Sequence, residues 1–169
     1  MQKLEFKSKT QKLCALALML AMSLIIFTVE AQIPVPVAIP GVKLGLSNVI
    51  TLFMLVKFEK KDAAAVLLLR VILGSVFVGQ GVYFLYSIAG GALAFVAMAV
   101  FLTLSKCQNI WFAGVLGAIF HNVGQILVAI AIFESAYVGY YFVVLAFCSV
   151  ITGVFTGVTA QVASSYRVK

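Results

Sequence analysis

Residues 110–133 of the chain read IWFAGVLGAIFHNVGQILVAIAIF, a run without a single Asp, Glu, Lys or Arg. A helix needs about 20 mostly apolar residues to cross the hydrocarbon core of a bilayer, and this run is long enough. It therefore predicts a transmembrane helix, and the question of the fold becomes how many such helices the chain contains.

The composition of the whole chain agrees with a lipid environment. Hydrophobic residues make up 64% of the 169 residues and charged residues only 10%, with a mean hydropathy of +1.17. Soluble domains contain about 25% charged residues. Too little polar surface remains to cover a globule in water, which excludes a soluble enzyme, a disordered tail and a secreted disulfide scaffold.

Five further apolar runs accompany the first one. They cover residues 13–31, 44–56, 63–78, 82–104 and 138–163. The run 44–56 is short enough to be a buried or re-entrant segment instead of a span. We predict an all-α membrane protein, a compact bundle of six transmembrane helices that forms a single domain over residues 1–169. In this prediction residues 1–12 and 164–169 are cytoplasmic and residues 13–163 form the bundle.

The distribution of basic residues supports six crossings. With the N-terminus inside, ten basic residues fall on the inner side: Lys3, Lys7, Lys9, Lys12, Lys57, Lys60, Lys61, Lys106, Arg167 and Lys169. The outer side carries only Lys43. Cytoplasmic loops carry such an excess of Lys and Arg, so both termini are predicted to be cytoplasmic and the chain to lie in a cell membrane. The net charge of +7 then reflects topology, and no nucleic-acid partner is needed to explain it.

Small residues recur at helical spacing on three of the predicted helices. Ala17 and Ala21 share a face of helix 1, Gly153 and Gly157 share one on helix 6, and Gly114 and Gly117 lie on helix 5. Such residues let helix backbones approach closely in lipid. Packing within the bundle is the interpretation for the glycines. Ala17 and Ala21 fit either internal packing or the docking of a partner protein.

Polar residues inside the apolar runs mark a candidate site. Arg70 lies near the middle of helix 3, where insertion costs about 2.5–3.5 kcal/mol. His121, Asn122 and Gln125 follow one another on helix 5. Arg70 is either a structural ion-pair member or a ligand contact. The three polar residues of helix 5 are either interhelical hydrogen-bonding groups or the lining of a polar cavity.

The link 32–43 holds all three prolines of the chain. Because proline stiffens the backbone, this apolar link is expected to fold over the bundle as a lid. Lys43 then lies at the start of helix 2 with Asn48 just below it, where free amide groups add positive potential. Lys43 either contacts lipid head groups or Glu30, or it anchors an anion. Apolar walls around a few polar groups predict a small-molecule ligand with an anionic or strongly polar head.

Metal and catalytic chemistry find no support in the sequence. The three cysteines, Cys14, Cys107 and Cys148, show no metal-ligand spacing and are expected to be buried free thiols. Neither a metal site, a cofactor nor a catalytic residue is predicted.

Four strings of the sequence together resemble a known family. They are PGVKLGLSN at 40–48, RVILGS at 70–75, LYSIAGG at 85–91 and GAIFHNVGQ at 117–125. They are similar to the bacterial Gx transporter family, which is often labelled heptaprenyl diphosphate synthase component I. That family resembles the substrate-binding S components of energy-coupling factor (ECF) transporters.

The resemblance implies a six-helix protein whose first external loop, here 32–43, caps the ligand. It also implies that an alanine motif on helix 1, matched by Ala17 and Ala21, docks onto a transmembrane coupling subunit. ATP hydrolysis would take place on two partner ATPase subunits, since this chain has no Gly-x-x-x-x-Gly-Lys-Ser/Thr loop. The expected ligand contacts are Lys43, Asn48, Arg70, His121, Asn122 and Gln125.

Prenyl transfer by this chain is not expected. That reaction needs aspartate clusters to hold magnesium on a diphosphate, and Asp62 is the one aspartate in the chain. Three functions stay open at this point: an S component, a non-catalytic membrane partner of an isoprenoid enzyme, and a stand-alone carrier.

Overall fold

The computed structural model describes residues 3–33, 43–78 and 81–166. Within these ranges the chain forms six α-helices and no strand. They are α1 (Lys9–Glu30), α2 (Asn48–Lys57), α3 (Lys60–Val78), α4 (Gly81–Leu104), α5 (Ile110–Phe133) and α6 (Tyr141–Ser165), with a short 3₁₀ helix at Ala136–Tyr140 before α6. The prediction of an all-helical chain is confirmed. The predicted lid falls mostly on residues 34–42, which lie outside the described residues.

Four helical segments are long and apolar enough to cross a membrane: Lys9–Glu30, Gly81–Leu104, Ile110–Phe133 and Tyr137–Ser165. Helix α3 has 19 residues, but Lys60, Lys61, Asp62 and Arg70 make it less apolar. The crossing count of six and the cytoplasmic location of both termini stay predictions, and the inner and outer ends of the bundle are named by this predicted orientation.

Helix α2 is shorter than its apolar run. The run 44–56 predicted a helix from Leu44, whereas the helix begins at Asn48 and has 10 residues. Gly45 has a φ of 82°, a left-handed conformation that a right-handed helix cannot contain. At 1.5 Å per residue, α2 is about 15 Å long, half of the hydrocarbon core. Most of its residues are buried, so α2 forms the centre of the bundle.

The hydrophobic core surrounds α2. Leu52 and Met54 of α2 are buried against Met98 of α4 and Ala113 of α5. The remaining residues of this core come from the same helices, from α3, from the inner end of α6 and, with Phe58, from the link between α2 and α3. The polar outer end of α2 is therefore fixed in position by an apolar inner end.

Glycines bring α5 and α6 into close contact. A Cβ added to Gly114 would collide with the backbone of Gly157, and one added to Gly153 would lie 2.5 Å from Cα of Val115. The packing interpretation of these glycines is confirmed. Since lipid supplies no hydrophobic drive between helices, this backbone approach helps to hold α6 to α5.

Helix α1 lies at the edge of the bundle. Its buried residues are Ser23, Phe27 and Glu30, a single stripe in its outer half. Ala17 and Ala21 are exposed on the other side of the helix. Cys14 is exposed as well, and Cys107 and Cys148 are only partly buried, so the expectation of buried thiols is wrong, although all three cysteines are free. The inner half of α1 presents a free apolar face.

The inner end of the bundle gathers the basic residues. The backbone N–H of Leu4 donates to the Lys57 carbonyl at 2.8 Å, and Lys12 pairs with Asp62 at 2.8 Å. These contacts place the N-terminal segment beside the link between α2 and α3. The candidate site lies at the opposite end.

Candidate functional site

The outer end of α2 is capped by a carboxylate from α1. Glu30 is only 2% exposed, and its side chain accepts hydrogen bonds from the backbone N–H groups of Gly45, Leu46 (3.0 Å) and Ser47 (3.2 Å). The positive end of the helix dipole favours a negative charge at this place. The expectation that these amides are free for a ligand is therefore wrong, because Glu30 already occupies them.

Lys43 precedes this cap and points into the protein. Its residue is 3% exposed, and its backbone N–H donates to Gln125 Oε1 at 2.9 Å. Its Nζ lies 3.2 Å from the ring centroid of Phe27 and 4.7 Å from that of Tyr83, which are cation–π contacts. Among the described residues Nζ has no hydrogen-bond partner. Burial lowers the pKa of Lys43 to about 8, against the opposing effect of nearby Glu30.

Arg70 of α3 reaches the first residue of α2. Its Nη2 donates to Asn48 Oδ1 at 3.3 Å, and the residue is only 2% exposed. Its Nε and Nη1 have no acceptor among the described residues, and neither has Asn48 Nδ2. Buried polar groups are nearly always satisfied in native proteins, so this set of donors calls for an explanation.

Two glycines make room for the ring of His121. A Cβ on Gly45 would lie 3.0 Å from Asn48 Nδ2 and 3.0 Å from His121 Cδ2. A Cβ on Gly90 of α4 would lie 2.8 Å from His121 Nδ1. The imidazole is thus held between the turn before α2 and the backbone of α4, close to the Arg70–Asn48 pair.

The hydrogen bonds of Gln125 fix the protonation of His121. The Lys43 backbone N–H can only donate, so the Gln125 atom that faces it is the oxygen. The Gln125 NH₂ group then faces His121 Nε2 at 2.7 Å and donates to it. An imidazole that accepts at Nε2 is neutral and carries its proton on Nδ1. His121 Nδ1 therefore carries the proton and faces the backbone of Gly90.

Asn122 faces a different neighbour. Its Nδ2 donates to Ser149 Oγ at 2.7 Å and to the Leu145 carbonyl at 3.3 Å, both on α6. Ser149 in turn donates to the Leu145 carbonyl at 2.7 Å. Asn122 thus joins α5 to α6 through its Nδ2, while its Oδ1 has no partner among the described residues. Its role as a ligand contact stays a prediction.

The structure brings five of the six predicted ligand residues into one connected cluster. Contacts run from Arg70 through Asn48 and the Gly45 turn to His121, and from there through Gln125 to Lys43. We call Lys43, Asn48, Arg70, His121 and Gln125 the donor cluster. Sequence reasoning missed the cap by Glu30 and the rings of Phe27 and Tyr83. An acidic residue at the end of a long apolar run was the one available signal.

The grooves between α3 and α4 lie apart from the donor cluster. One groove of about 430 Å³ is lined by Lys60 and by residues of α4 up to Leu104. Another of about 230 Å³ is lined by Leu67 of α3 and Ile88 of α4, among others. Phe95 and Val96 line both. Their walls are mostly apolar, which suits lipid chains and not a polar ligand.

Comparison with known proteins identifies a family. Neither the curated proteins nor the solved structures gave a match. A family model matches residues 19–163, a range that includes the whole donor cluster. The chain therefore belongs to the family described as heptaprenyl diphosphate synthase component I.

Proposed function

We propose that this chain is the substrate-binding membrane subunit of an ECF-type, ATP-driven importer for a small molecule with an anionic or strongly polar head. The observation that carries the proposal is the donor cluster, in which buried N–H groups of Lys43, Asn48 and Arg70 lack acceptors among the described residues. The residue types and the helical architecture agree with the S-component resemblance.

The free donors favour a ligand over a structural role. A buried charge without hydrogen bonds is costly, and replacing it by an apolar residue is often neutral or stabilising. A purely structural Arg70 would be expected to have its guanidinium satisfied by the protein. An acceptor-rich ligand head would satisfy Arg70, Lys43 and Asn48 together, with charge-assisted hydrogen bonds worth about 1.5–3 kcal/mol each.

The exposed face of α1 supports assembly with a partner. Ala17 and Ala21 lie on its free side, flanked by Leu18 (63% exposed) and Ile25 (64% exposed). A small flat strip on an edge helix allows close backbone approach by another membrane helix. In the proposed assembly this strip docks onto the coupling subunit, which connects the chain to two ATPase subunits.

The family description supports a second candidate. A component of a synthase implies a partner synthase component, and this chain would then be its non-catalytic membrane subunit. Asp62, the one aspartate of the chain, is engaged with Lys12, which does not suit magnesium binding for prenyl transfer. The donor cluster at the opposite end of the bundle has no evident use in this role.

Affinity purification from the native membrane distinguishes the two candidates. The importer proposal predicts recovery of a transmembrane coupling subunit and ATPases, and the alternative predicts a soluble prenyl synthase. Ala17→Leu and Ala21→Leu should reduce recovery of the coupling subunit. Ala163→Leu, at an exposed position of α6, is the matched control and should leave it unchanged. Recovery of the synthase alone would contradict the importer proposal.

A further inference from the structure

The charged side chains at the donor cluster add up to one positive charge. They are Glu30, Lys43 and Arg70. His121 is neutral because its Nε2 accepts from Gln125. The sequence between residues 33 and 43 contains no charged side chain, so the part of the link outside the described residues cannot alter this sum.

Glu30 contributes its charge without using the donors. Its oxygens are occupied by the amides of Gly45, Leu46 and Ser47. The ion pairs among the described residues are Lys12–Asp62 and Lys61–Glu59, and neither Lys43 nor Arg70 takes part in one. Glu30 therefore offsets one of the two cations at longer range and leaves their N–H groups open to a ligand.

We propose that Glu30 sets the charge of the ligand head, so that the site takes a monoanion such as a carboxylate in preference to a phosphate monoester or diphosphate. The inference rests on the proposed function and specifies its substrate class. A monoanion brings the buried cluster to neutrality. A dianion leaves one uncompensated negative charge beside the Glu30 carboxylate, and such a charge is expensive away from water.

A preference for monoanions distinguishes this site from one that binds prenyl diphosphates. A diphosphate head carries more than one negative charge and would face Glu30 without a third cation. The repulsion between two like charges several ångströms apart, at an effective dielectric constant near 20, should weaken binding by at least about tenfold. Selectivity of that size is measurable with simple probes.

The test compares two water-soluble probes that share a phenyl ring. Benzoate is a monoanion at pH 7, whereas phenyl phosphate, with a second pKa of about 6, is mostly a dianion. Isothermal titration calorimetry on the purified full chain in lipid nanodiscs measures both affinities. The parent protein should bind benzoate at least about tenfold more tightly than phenyl phosphate.

Glu30→Gln should shift this ratio by about tenfold or more towards phenyl phosphate. Glutamine keeps an acceptor oxygen for the α2 amides but removes the charge. Hydrogen exchange at Gly45, Leu46 and Ser47 reports whether the cap persists. Glu59→Gln neutralises an exposed carboxylate next to Lys61 and should leave the ratio unchanged.

A second variant tests the same rule where Glu30→Gln does not fold. Lys43→Gln brings the charge sum to zero, so benzoate should lose its advantage in affinity over neutral benzamide.

The proposal is overturned if benzoate keeps that advantage, if phenyl phosphate binds the parent as well as benzoate does, or if Glu30→Gln with protected amides keeps the parent ratio. Selective binding of phenyl phosphate would overturn the monoanion rule alone. Binding of neither probe by the parent would overturn it as well, and recovery of the coupling subunit would then still support the proposed function.

Discussion

His121 and Asn122 are neighbours in sequence, yet they belong to two polar clusters of opposite character. Asn122 donates to Ser149 and to the Leu145 carbonyl, and its amide nitrogen is fully used within the protein. His121 belongs to a cluster in which Lys43 Nζ, Asn48 Nδ2 and the Nε and Nη1 atoms of Arg70 have no acceptor among the described residues. Both residues are buried, so burial alone does not separate them. The use of their donors does: the unpartnered atom of Asn122 is an acceptor, Oδ1, whereas the unpartnered atoms of Lys43, Asn48 and Arg70 are N–H donors. This difference suggests that Asn122 holds helices together while the donor cluster binds an acceptor-rich ligand.

The largest expected effect is a loss of ligand affinity in a variant that removes one side chain of the donor cluster and leaves the fold intact. Arg70→Met should weaken binding of the retained ligand by about 1.5–3 kcal/mol, the value of a hydrogen bond to a charged group. Its ligand-free melting temperature should not fall, because the variant removes a buried charge that the described residues leave largely unpaired. Lys60→Met, at the inner end, serves as the control for both measurements. A large fall in melting temperature would instead make Arg70 a structural residue.

Gly90→Ala tests the space that holds His121. Its new Cβ would lie 2.8 Å from His121 Nδ1 and 2.8 Å from the His121 carbonyl oxygen, so the ring must move. Overpacking of this kind costs about 1–3 kcal/mol, and ligand affinity should fall with it. The matched control is Gly81→Ala, since a Cβ at that position meets no atom within 4 Å among the described residues beyond its own helical turn. Equal behaviour of the two variants in thermal unfolding and binding would contradict the described position of the ring.

Asn122→Leu tests the hydrogen bonds through which the Asn122 side chain joins α5 to α6. The variant loses the bonds to α6 and should lower the free energy of unfolding by about 1–2 kcal/mol. Ligand affinity of the folded fraction should stay within about threefold of the parent, a difference below 1 kcal/mol. A strong loss of affinity at normal stability would instead support the sequence prediction that Asn122 contacts the ligand.

The smallest expected effect is a pH dependence from Lys43. Burial lowers the pKa of this lysine to about 8, with Glu30 raising it and Arg70 lowering it further. Its ammonium therefore loses its proton as the pH rises through 8, and an anionic ligand should bind more weakly above that pH than at pH 7. Lys43→Met should remove this dependence between pH 7 and 9. Calorimetric titration of both proteins across that range is the measurement, and identical profiles would assign the dependence to another group.

Much of the fold follows from hydropathy, and the exceptions have local causes. The run 110–133 predicted α5 to the residue, because Asn109 and Glu134 on either side have left-handed backbones that end the helix. Hydropathy placed the start of α2 four residues too early, since Leu44 and Leu46 are apolar but surround the left-handed Gly45. A hydropathy profile carries no information on backbone conformation.

The sequence predicted which residues lie in the donor cluster, but it did not predict the hydrogen bonds among them and their neighbours. Arg70, His121 and Gln125 stand out because polar residues within apolar runs are costly. The burial of Glu30 was not predictable, because an acidic residue at a helix end normally faces water and its three N–H donors come from a turn that only the tertiary fold brings near. For the same reason the sequence could not separate Asn122 from His121.

Native mass spectrometry of the purified chain tests the central claim most directly. The parent protein is predicted to carry a small anionic molecule from the cell, and the Lys43→Met/Arg70→Met double variant, folded and at normal abundance, is predicted to lack it. Equal retention by the two proteins would contradict the account, as would a retained molecule that is cationic.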